Sequence, residues 1–482
     1  MRYDVIIVGG GVVGCALARE LSRYQLRLAL LEKEVEVGFG TSKTNSGIIH
    51  SGHHAPADTL KGQLEWAGNQ RWDDLARELK FGFSRIGELM LAQQSADLAY
   101  LLKLKAQGEE KGVTGLELWS PKKIQKEEPN LSHNILQALH APTAAVVNPY
   151  EACFGFIACA QQNGVELFCG APVLEISQAG ESFSIQTPQH KFHCRIIINA
   201  AGIYADRIAA LIGAADFTIH PRKGEEYLLD RRLQGIVTRL IFPVPSATSK
   251  GVLIIPTVDG PIMVGPTAED VADREDLTTS FSGADKVFAT VRQYCPAISE
   301  RDTITEFAGL RAVAESNDFI ISPSPVKGFF NVAGIQSPGL TAAPAIATYV
   351  TEMLRCEGLA LSEKTAWKAE IDGPSRFARM SVAERKAAIR SDPAFGRIIC
   401  RCESVTEAEV RYAICHGART LDGVKFRVRA GMGRCQGGFC TTRIMDLLSQ
   451  TAGTPLTEIS KRGRGSEICY PRQDSLTAGE EG

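Results

Sequence analysis

The sequence predicts an α/β fold, α+β over the whole chain, that ends in a small helical unit. Near the N-terminus, the short apolar run Tyr3–Val8 is followed by a glycine-rich turn, a helical segment and a second apolar run, Leu26–Leu31. Such apolar runs are typical of buried parallel strands. A later apolar run, Arg195–Ala201, also leads into a glycine, and four of the 13 cysteines cluster near the C-terminus beside helical segments.

The N-terminal turn has the spacing G-x-G-x-x-G at Gly9, Gly11 and Gly14. The first glycine permits a tight turn, the second lets the backbone approach a pyrophosphate, and the third lets the helix pack closely on the sheet. The predicted helix Val12–Tyr24 then directs free N–H groups at the phosphates. Glu32, at the end of the second strand, can accept hydrogen bonds from ribose hydroxyls. These features together predict a dinucleotide site.

The absence of a second G-x-G-x-x-G favours FAD over a pairing of FAD with NAD. The small-residue loop 38–52 can lie beside a ribityl chain and an isoalloxazine ring, and the helix after Ser337 would point its N-terminus at the flavin pyrimidine, where reduced flavin is negative. Val173 could present its backbone to the adenine. Besides the fingerprint and Val173, the candidate FAD contacts are Thr41, Ser42, Asn45, Ser46, Ala201, Gly202, Gly334, Gln336, Ser337, Gly339, Leu340 and Thr341.

Length, charge and apolar runs limit the number of domains, the partners and the location of the protein. At 482 residues the chain predicts two or three domains, and a formal charge of −2 argues against nucleic acid as a partner. The first strand follows Met1 almost at once, so we expect no secretory signal, and no apolar run approaches the ~18 residues of a membrane span. We therefore expect a cytoplasmic protein without a transmembrane segment; peripheral contact with the inner face of the cell membrane stays open.

Residues 1–355 resemble the D-amino-acid-oxidase-type superfamily of flavoproteins, and within it the L-2-hydroxyglutarate and glycerol-3-phosphate dehydrogenases. The resemblance is carried by six segments. They are Asn45-Ser-Gly-Ile-Ile-His-Ser-Gly52, Asn199-Ala-Ala-Gly-Ile-Tyr-Ala-Asp206, Arg222-Lys-Gly-Glu-Glu-Tyr227, Gly265-Pro-Thr267, Gly309-Leu-Arg311 and Gly334-Ile-Gln-Ser-Pro-Gly-Leu-Thr341.

Oxidation of a carbinol needs a base for the hydroxyl proton and a cation for an acidic group on the substrate. The family motif makes His50 the candidate base, and the family places a substrate-binding arginine at Arg311. Tyr227, His53 and His54 are further candidates for substrate contact. The alternatives are that His50 only bonds flavin or backbone, that Arg311 pairs with an acid, and that Tyr227 is a core residue.

Cys400, Cys402, Cys435 and Cys440 form a C-x-C and a C-x4-C pair. In a chain with no predicted secretory signal this clustering indicates a metal or a cluster rather than disulfides, and zinc on four thiolates is one solution. The motif Cys-x-Cys…Gly-Met-Gly-x-Cys-Gln-Gly-x-x-Cys resembles the bacterioferritin-associated-ferredoxin-like (BFD-like) domain. That resemblance implies a [2Fe–2S] cluster, which would accept electrons from the flavin one at a time.

Together the two resemblances imply a domain layout. Residues 1–358 would form a Rossmann-type FAD domain (segments about 1–80, 145–215 and 300–358) with an inserted, mostly antiparallel substrate domain (about 81–144 and 216–299). A helical linker at 359–396, the cluster domain at 397–452 and a tail at 453–482 would follow.

We expect a dehydrogenase for a small anionic hydroxy compound, glycerol 3-phosphate or a 2-hydroxy acid such as L-2-hydroxyglutarate. Electrons would pass from FAD through the cluster to a partner subunit or quinone. The alternatives are an amino-acid or imino-acid dehydrogenase subunit and a non-catalytic electron-transfer subunit.

Overall fold

The computed structural model describes residues 1–245, 251–373 and 376–470. Internal contacts divide the chain into two compact units, Met1–Ile371 and the part from Asp372 onward. The first unit contains two large sheets, each with its own hydrophobic core. The described part of the second unit is mainly helical. The predicted α/β fold with a small helical C-terminal unit is thus confirmed.

The first sheet holds the predicted dinucleotide unit. In spatial order its strands are Glu175–Ala179, Ser182–Gln186, Lys191–Asn199, Arg2–Val8, Leu28–Leu31 and Glu166–Phe168, with Phe329–Ala333 beside Lys191–Asn199 and Ile320–Pro323 outside it. The strand Arg2–Val8 runs parallel to both of its neighbours, which brings its carboxyl end and theirs to one edge. Ligands of open parallel sheets bind at such an edge.

Helices cover this sheet and bury its apolar side chains. They are Val12–Leu21, Leu60–Asn69, Trp72–Leu79, Pro149–Gln162, Ala205–Ala210 and Gly339–Cys356. The predicted elements of the N-terminal unit are present, with the first helix ending at Leu21 instead of Tyr24. The strand next to the predicted adenine contact begins at Glu175, because the chain before it bonds back to the end of the second strand, with Ala171 N donating to Glu32 O. Val173 therefore precedes the strand.

The second sheet is mostly antiparallel, as the substrate domain was predicted to be. Its spatial order is Glu269–Asp270, Ile219–Leu229, Ile262–Gly265, Leu253–Pro256, Leu240–Pro243, Glu88–Ala92, Gln137–Ala141 and Glu117–Trp119, with Thr303–Ala314 on the other side of Ile219–Leu229. The helices Ser95–Glu110, Pro121–Glu127 and Phe281–Tyr294 belong to the same part. A small sheet of Ile48–Ile49, Ala145–Val147 and Phe83–Arg85 completes the first unit.

The second unit contains the helices Val382–Ser391, Glu407–Cys415, Leu421–Val428 and Thr441–Ala452 and a short hairpin of Ile398–Cys400 with Val405–Thr406. A capping box starts the helix Glu407–Cys415, because Thr406 Oγ1 accepts from Glu409 N while the Glu409 carboxylate accepts from Thr406 N. The helix Leu421–Val428 was not predicted. Of the predicted tail 453–482, residues 471–482 lie outside the described part.

Among the described residues of the predicted helical linker 359–396, the α-helix is Val382–Ser391, with short 3-10 turns at Phe377–Arg379 and Pro393–Gly396. The segment from Ser362 to Ile371 forms no helix, because it bonds to other parts of the first unit, to which it belongs. Gln25 N donates to Ser362 O at 2.8 Å, and Trp367 Nε1 donates to Ser22 Oγ at 3.1 Å. In the described parts of the chain, we find no helix long and apolar enough to cross a membrane.

Candidate functional site

One large cleft of about 1160 Å³ lies in the first unit. Its volume exceeds what a small substrate alone would fill. The predicted site residues that line it are Gly9, Gly11, Glu32, Thr41, Ser42, Asn45, Ser46, His50, His54, Val173, Ala201, Gly202, Arg311, Gln336, Ser337, Gly339 and Leu340. Five predicted site residues are not among the described residues that line the cleft. They are Gly14, Gly334, Thr341, His53 and Tyr227.

At one end of the cleft, the glycine turn leaves no space for side chains at Gly9 and Gly14. A Cβ on Gly9 would lie 2.4 Å from Ala200 O, and one on Gly14 would lie 1.9 Å from Gly9 O. Gly9 also has a φ of +107°, which favours glycine. Gly14 thus acts through packing beneath the turn. The backbone of Gly11 lines the cleft, where the start of the next helix offers N–H groups to phosphates.

Glu32 braces this turn. Its Oε2 accepts from Gly10 N at 2.6 Å and its Oε1 accepts from Glu34 N at 2.8 Å. Burial raises the pKa of Glu32, although both backbone hydrogen bonds oppose that rise. Because a carboxylate offers about four acceptor positions, two remain for ribose hydroxyls.

The loop after the second strand connects the two sheets. Thr41 Oγ1 donates to Leu310 O at 2.7 Å, and Val12 N donates to Ser42 Oγ at 2.9 Å. The Asn45 side chain bridges Ser42 O and Gly47 N, both at 2.8 Å, which fixes the turn. The loop therefore lies over the glycine turn on one side and over the second sheet on the other.

His50 follows this loop and is 6% exposed, at the cleft wall. Its backbone N donates to Thr341 Oγ1 at 2.9 Å, and its Nε2 lies 3.1 Å from Ser337 Oγ. Thr341 therefore supports the backbone of His50 from behind the wall. Ser337, which precedes the helix Gly339–Cys356, fixes the plane of the imidazole.

A buried carboxylate lies close to His50. His54 Nε2 is 2.8 Å from Glu88 Oε1, and the His50 and His54 rings meet edge to face with centroids 4.9 Å apart. His53 is fully buried behind them, with its Nδ1 2.6 Å from Ser51 Oγ, which donates to Glu88 at 3.0 Å. His54 thus shares the cleft wall with His50, whereas His53 belongs to the layer beneath.

The floor of the other end comes from the strands Ile219–Leu229 and Thr303–Ala314. Arg311 lies directly opposite Arg222 in their antiparallel register. Arg311 Nη2 donates to Thr267 O at 3.2 Å, and burial lowers its pKa, with Glu226 opposing that effect and Arg222 adding to it. In the neighbouring turn of the same cleft, Ser46 Oγ donates to Glu226 Oε1 at 2.5 Å.

Tyr227 points away from the cleft. It is 1% exposed, it packs with Phe288 in the core of the second sheet, and its hydroxyl donates to Glu225 at 2.9 Å. The structure thus favours the core role over substrate contact. Gly334 has a φ of +65°, and a Cβ there would lie 2.9 Å from Ala314 Cβ. Gly334 therefore packs closely against the end of the strand Thr303–Ala314.

Sequence reasoning missed two buried carboxylates, Glu88 and Glu226. The sequence did contain a signal for Glu226. In a strand over Arg222–Tyr227, Glu226 lies on the same face as Arg222 and Gly224, because side chains alternate between the two faces. For Glu88 there was none, because its strand lies far from the histidines in sequence.

In the second unit the four predicted cysteines come together. The Cys402 and Cys435 sulfurs are 3.8 Å apart, and a hydrogen bond from Cys440 lowers the pKa of Cys400 to about 6. The two loops can approach because a Cβ on Gly433 would lie 2.2 Å from Cys402 Cβ.

Backbone N–H groups surround these sulfurs. Burial raises the pKa of Cys435, but backbone hydrogen bonds from Phe439 and Gly437 outweigh it, so the pKa is lowered. Paired sulfurs with inward N–H donors fit a negatively charged iron–sulfur core.

Comparisons with known proteins agree with both predicted cofactors. The family model "FAD dependent oxidoreductase" matches residues 4–353, and the model "BFD-like [2Fe-2S] binding domain" matches residues 398–450. The chain therefore belongs to the FAD-dependent oxidoreductase family and carries a BFD-like domain. It is an enzyme whose cofactors are FAD and a [2Fe–2S] cluster, as predicted, and the domain match favours the cluster over zinc.

Individual relatives narrow the class. The chain is 42% identical over 469 residues to a glycerol 3-phosphate dehydrogenase of Caloramator mitchellensis, covering 97% of this chain and 98% of that one. It is 29% identical over 404 residues to the mitochondrial L-2-hydroxyglutarate dehydrogenase of Caenorhabditis elegans, covering 73% and 92%. Among solved structures, dithionite-reduced L-alpha-glycerophosphate oxidase from Mycoplasma pneumoniae with FAD bound matches with a TM-score of 0.74 and 30% identity, covering 78% of this chain and 99% of that chain.

Proposed function

We propose that this enzyme oxidises the secondary hydroxyl of glycerol 3-phosphate to a ketone, with Arg311 holding the phosphate and His50 accepting the hydroxyl proton. The observation that carries the proposal is that one cleft contains the glycine turn, His50 and the half-buried Arg311. A guanidinium suits a phosphate because it can donate two parallel hydrogen bonds to it. The near full-length similarity to a glycerol 3-phosphate dehydrogenase supports this substrate over L-2-hydroxyglutarate.

FAD, when bound, supplies the acceptor for the hydride that leaves the carbinol carbon. The chain's own residues hold the reacting groups. Ser337 fixes the His50 ring at 3.1 Å, and Thr341 holds the His50 backbone at 2.9 Å, so the imidazole is held in one orientation at the cleft wall, where it would take the hydroxyl proton. A positioned base of this kind contributes about 10²- to 10⁴-fold in rate.

Anaerobic reduction of the purified holoenzyme's flavin tests the substrate. We expect glycerol 3-phosphate to bleach the flavin at far lower concentration than L-2-hydroxyglutarate or a panel of amino acids. His50→Ala should slow the reduction by about 10²-fold or more. His133→Ala, which changes an exposed histidine, is the matched control. Bleaching by none of these compounds would favour the non-catalytic alternative, and normal turnover of His50→Ala would refute the assigned base.

We further propose that Cys400, Cys402, Cys435 and Cys440 are the ligands of the [2Fe–2S] cluster, and that the electrons leave through it to a partner subunit or a quinone. We also propose a cytoplasmic location, from which a quinone acceptor would bring the protein to the inner face of the cell membrane. Replacing any one ligand by serine should abolish the visible and paramagnetic signals of the cluster while flavin reduction by substrate persists. Cys415→Ser, at an exposed cysteine in the same unit, is the matched control and should keep the cluster.

A further inference from the structure

The substrate end of the cleft contains a carboxyl group that the proposed reaction does not use. Glu226 is 2% exposed and lines the cleft. In the antiparallel register Gly224 faces Gly309 and Arg222 faces Arg311, so Glu226, two positions along from Gly224, shares their face. The side chain therefore lies on the same floor as Arg311.

Each of these two charged groups has one buried polar atom that bonds to nothing in the described residues. These atoms are Glu226 Oε2 and Arg311 Nη1. Each of the other ends is anchored, Glu226 Oε1 by Ser46 Oγ at 2.5 Å and Arg311 Nη2 by Thr267 O at 3.2 Å. A buried polar atom without a partner is costly, so two of them on one cleft floor indicate that a ligand satisfies both.

The two groups do not satisfy each other. Within residues 1–245, 251–373 and 376–470, no Glu226–Arg311 contact falls within 4.0 Å, although each is close enough to affect the other's pKa. Burial raises the pKa of Glu226 to about 7, against the opposing effects of Ser46 and Arg311. A ligand between them needs an anionic group for the guanidinium and a group that a carboxyl can bond without repulsion, which is a hydroxyl.

We propose that Glu226 is a specificity-determining residue that binds the terminal hydroxyl of a hydroxyalkyl phosphate and disfavours a second anionic group at that position. This inference rests on the proposed function. Glycerol 3-phosphate has a phosphate at one end and a hydroxyl at the other, which matches the Arg311 and Glu226 pair. A 2-hydroxy diacid has a carboxylate at both ends, and one of them would lie against Glu226.

The test compares glycerol 3-phosphate with 2-hydroxypropyl phosphate, which keeps the secondary hydroxyl and the phosphate but lacks the terminal hydroxyl. We expect the wild-type holoenzyme to prefer glycerol 3-phosphate by about 10- to 100-fold in kcat/KM, the usual range for a hydrogen bond to a charged group. In Glu226→Leu this preference should shrink to within about threefold, and Glu226→Gln should retain part of it.

Glu306→Gln is the control, because Glu306 is an exposed acid on the opposite face of the neighbouring strand, and the preference should not change. The visible spectrum of each variant reports its flavin content. If Glu226→Leu does not fold, the test uses Glu226→Gln, which keeps the shape of the side chain. Equal use of both phosphates by the wild type would overturn this inference and leave the proposed function intact. Equal loss of both in the Glu226 variants would overturn it too, whereas failure of both to bleach wild-type flavin would refute the proposed function itself.

Discussion

The two ends of the cleft are built in different ways. The centre of the dinucleotide end is one continuous stretch, Gly9 to Glu32, which acts mainly through its backbone and through glycines at positions where a side chain would not fit. The substrate end brings together side chains from segments far apart in sequence, with Ser46, Glu226 and Arg311 meeting through sheet register and loop contact. A cofactor site used by many proteins can be local, whereas a substrate site is assembled by the tertiary fold.

Gly14→Val gives the largest expected effect, and it tests the local end. Its Cβ would lie 1.9 Å from Gly9 O, so the turn must move. We expect the variant to purify without flavin, as measured by the ratio of absorbance at the flavin band to that of protein. Gly11→Ala is the comparison: its Cβ would lie 3.3 Å from Ser42 Oγ, so the fold should persist while flavin binds more weakly. Stoichiometric FAD in Gly14→Val would contradict this account.

Arg311→Met tests the assembled end. The substitution removes the half-buried cation and with it the positive charge that acts on Glu226. We expect flavin to be retained and kcat/KM for glycerol 3-phosphate to fall by about 10²- to 10³-fold, because truncating one partner of a buried charged contact costs about 2–5 kcal/mol. Steady-state kinetics would measure this loss. Arg292→Met, at a half-exposed arginine paired with Glu300, should lose little, and an equally small loss in Arg311→Met would remove Arg311 from the site.

The same contrast separates what the sequence could predict from what it could not. Spacing alone predicted the glycine turn and the four cysteines, because their geometry depends on near neighbours. Glu226 was missed since only the pairing of Ile219–Leu229 with Thr303–Ala314 brings it beside Arg311. Tyr227, one residue on, points to the opposite face into the core, which follows from the alternation of a strand once its direction is known.

One helix that was not predicted and one predicted helical segment that is not helical show the same limit. The helix Leu421–Val428 carries β-branched residues and a glycine, yet it forms because Thr420 Oγ1 accepts from Gly423 N and its apolar side chains pack in the core of the second unit. Ser362–Ile371 has helical composition, but partners in the first unit take its backbone groups. In both cases tertiary contacts outweigh local propensity.

Glu226→Gln should change how stability depends on pH. The folded pKa of Glu226, about 7, lies above the ordinary value of 4.5. The contribution of Glu226 to the free energy of unfolding is therefore greatest below pH 4.5 and is lost as the pH rises to 7. At ~1.4 kcal/mol per pH unit the loss is at most about 3 kcal/mol. In urea unfolding, the free energy of unfolding of Glu226→Gln relative to that of the wild type should be higher at pH 8 than at pH 5. Glu306→Gln is the reference, and its free energy of unfolding relative to wild type should be the same at both pH values. If the difference between Glu226→Gln and wild type is also the same at both, the surroundings of Glu226 are more polar than this argument requires.

Gly224→Ala should give the smallest effect and distinguishes packing from chemistry at the substrate end. A Cβ at Gly224 would lie 2.5 Å from Arg311 Nη2, so the methyl group must displace the guanidinium without removing its charge. We expect flavin to be retained, KM for glycerol 3-phosphate to rise about tenfold, roughly 1.4 kcal/mol, and kcat to change less. Because the methyl group acts through Arg311, the same substitution in the Arg311→Met background should have almost no further effect. Additive losses in this double-mutant cycle would mean that Gly224 supports the cleft independently of the arginine.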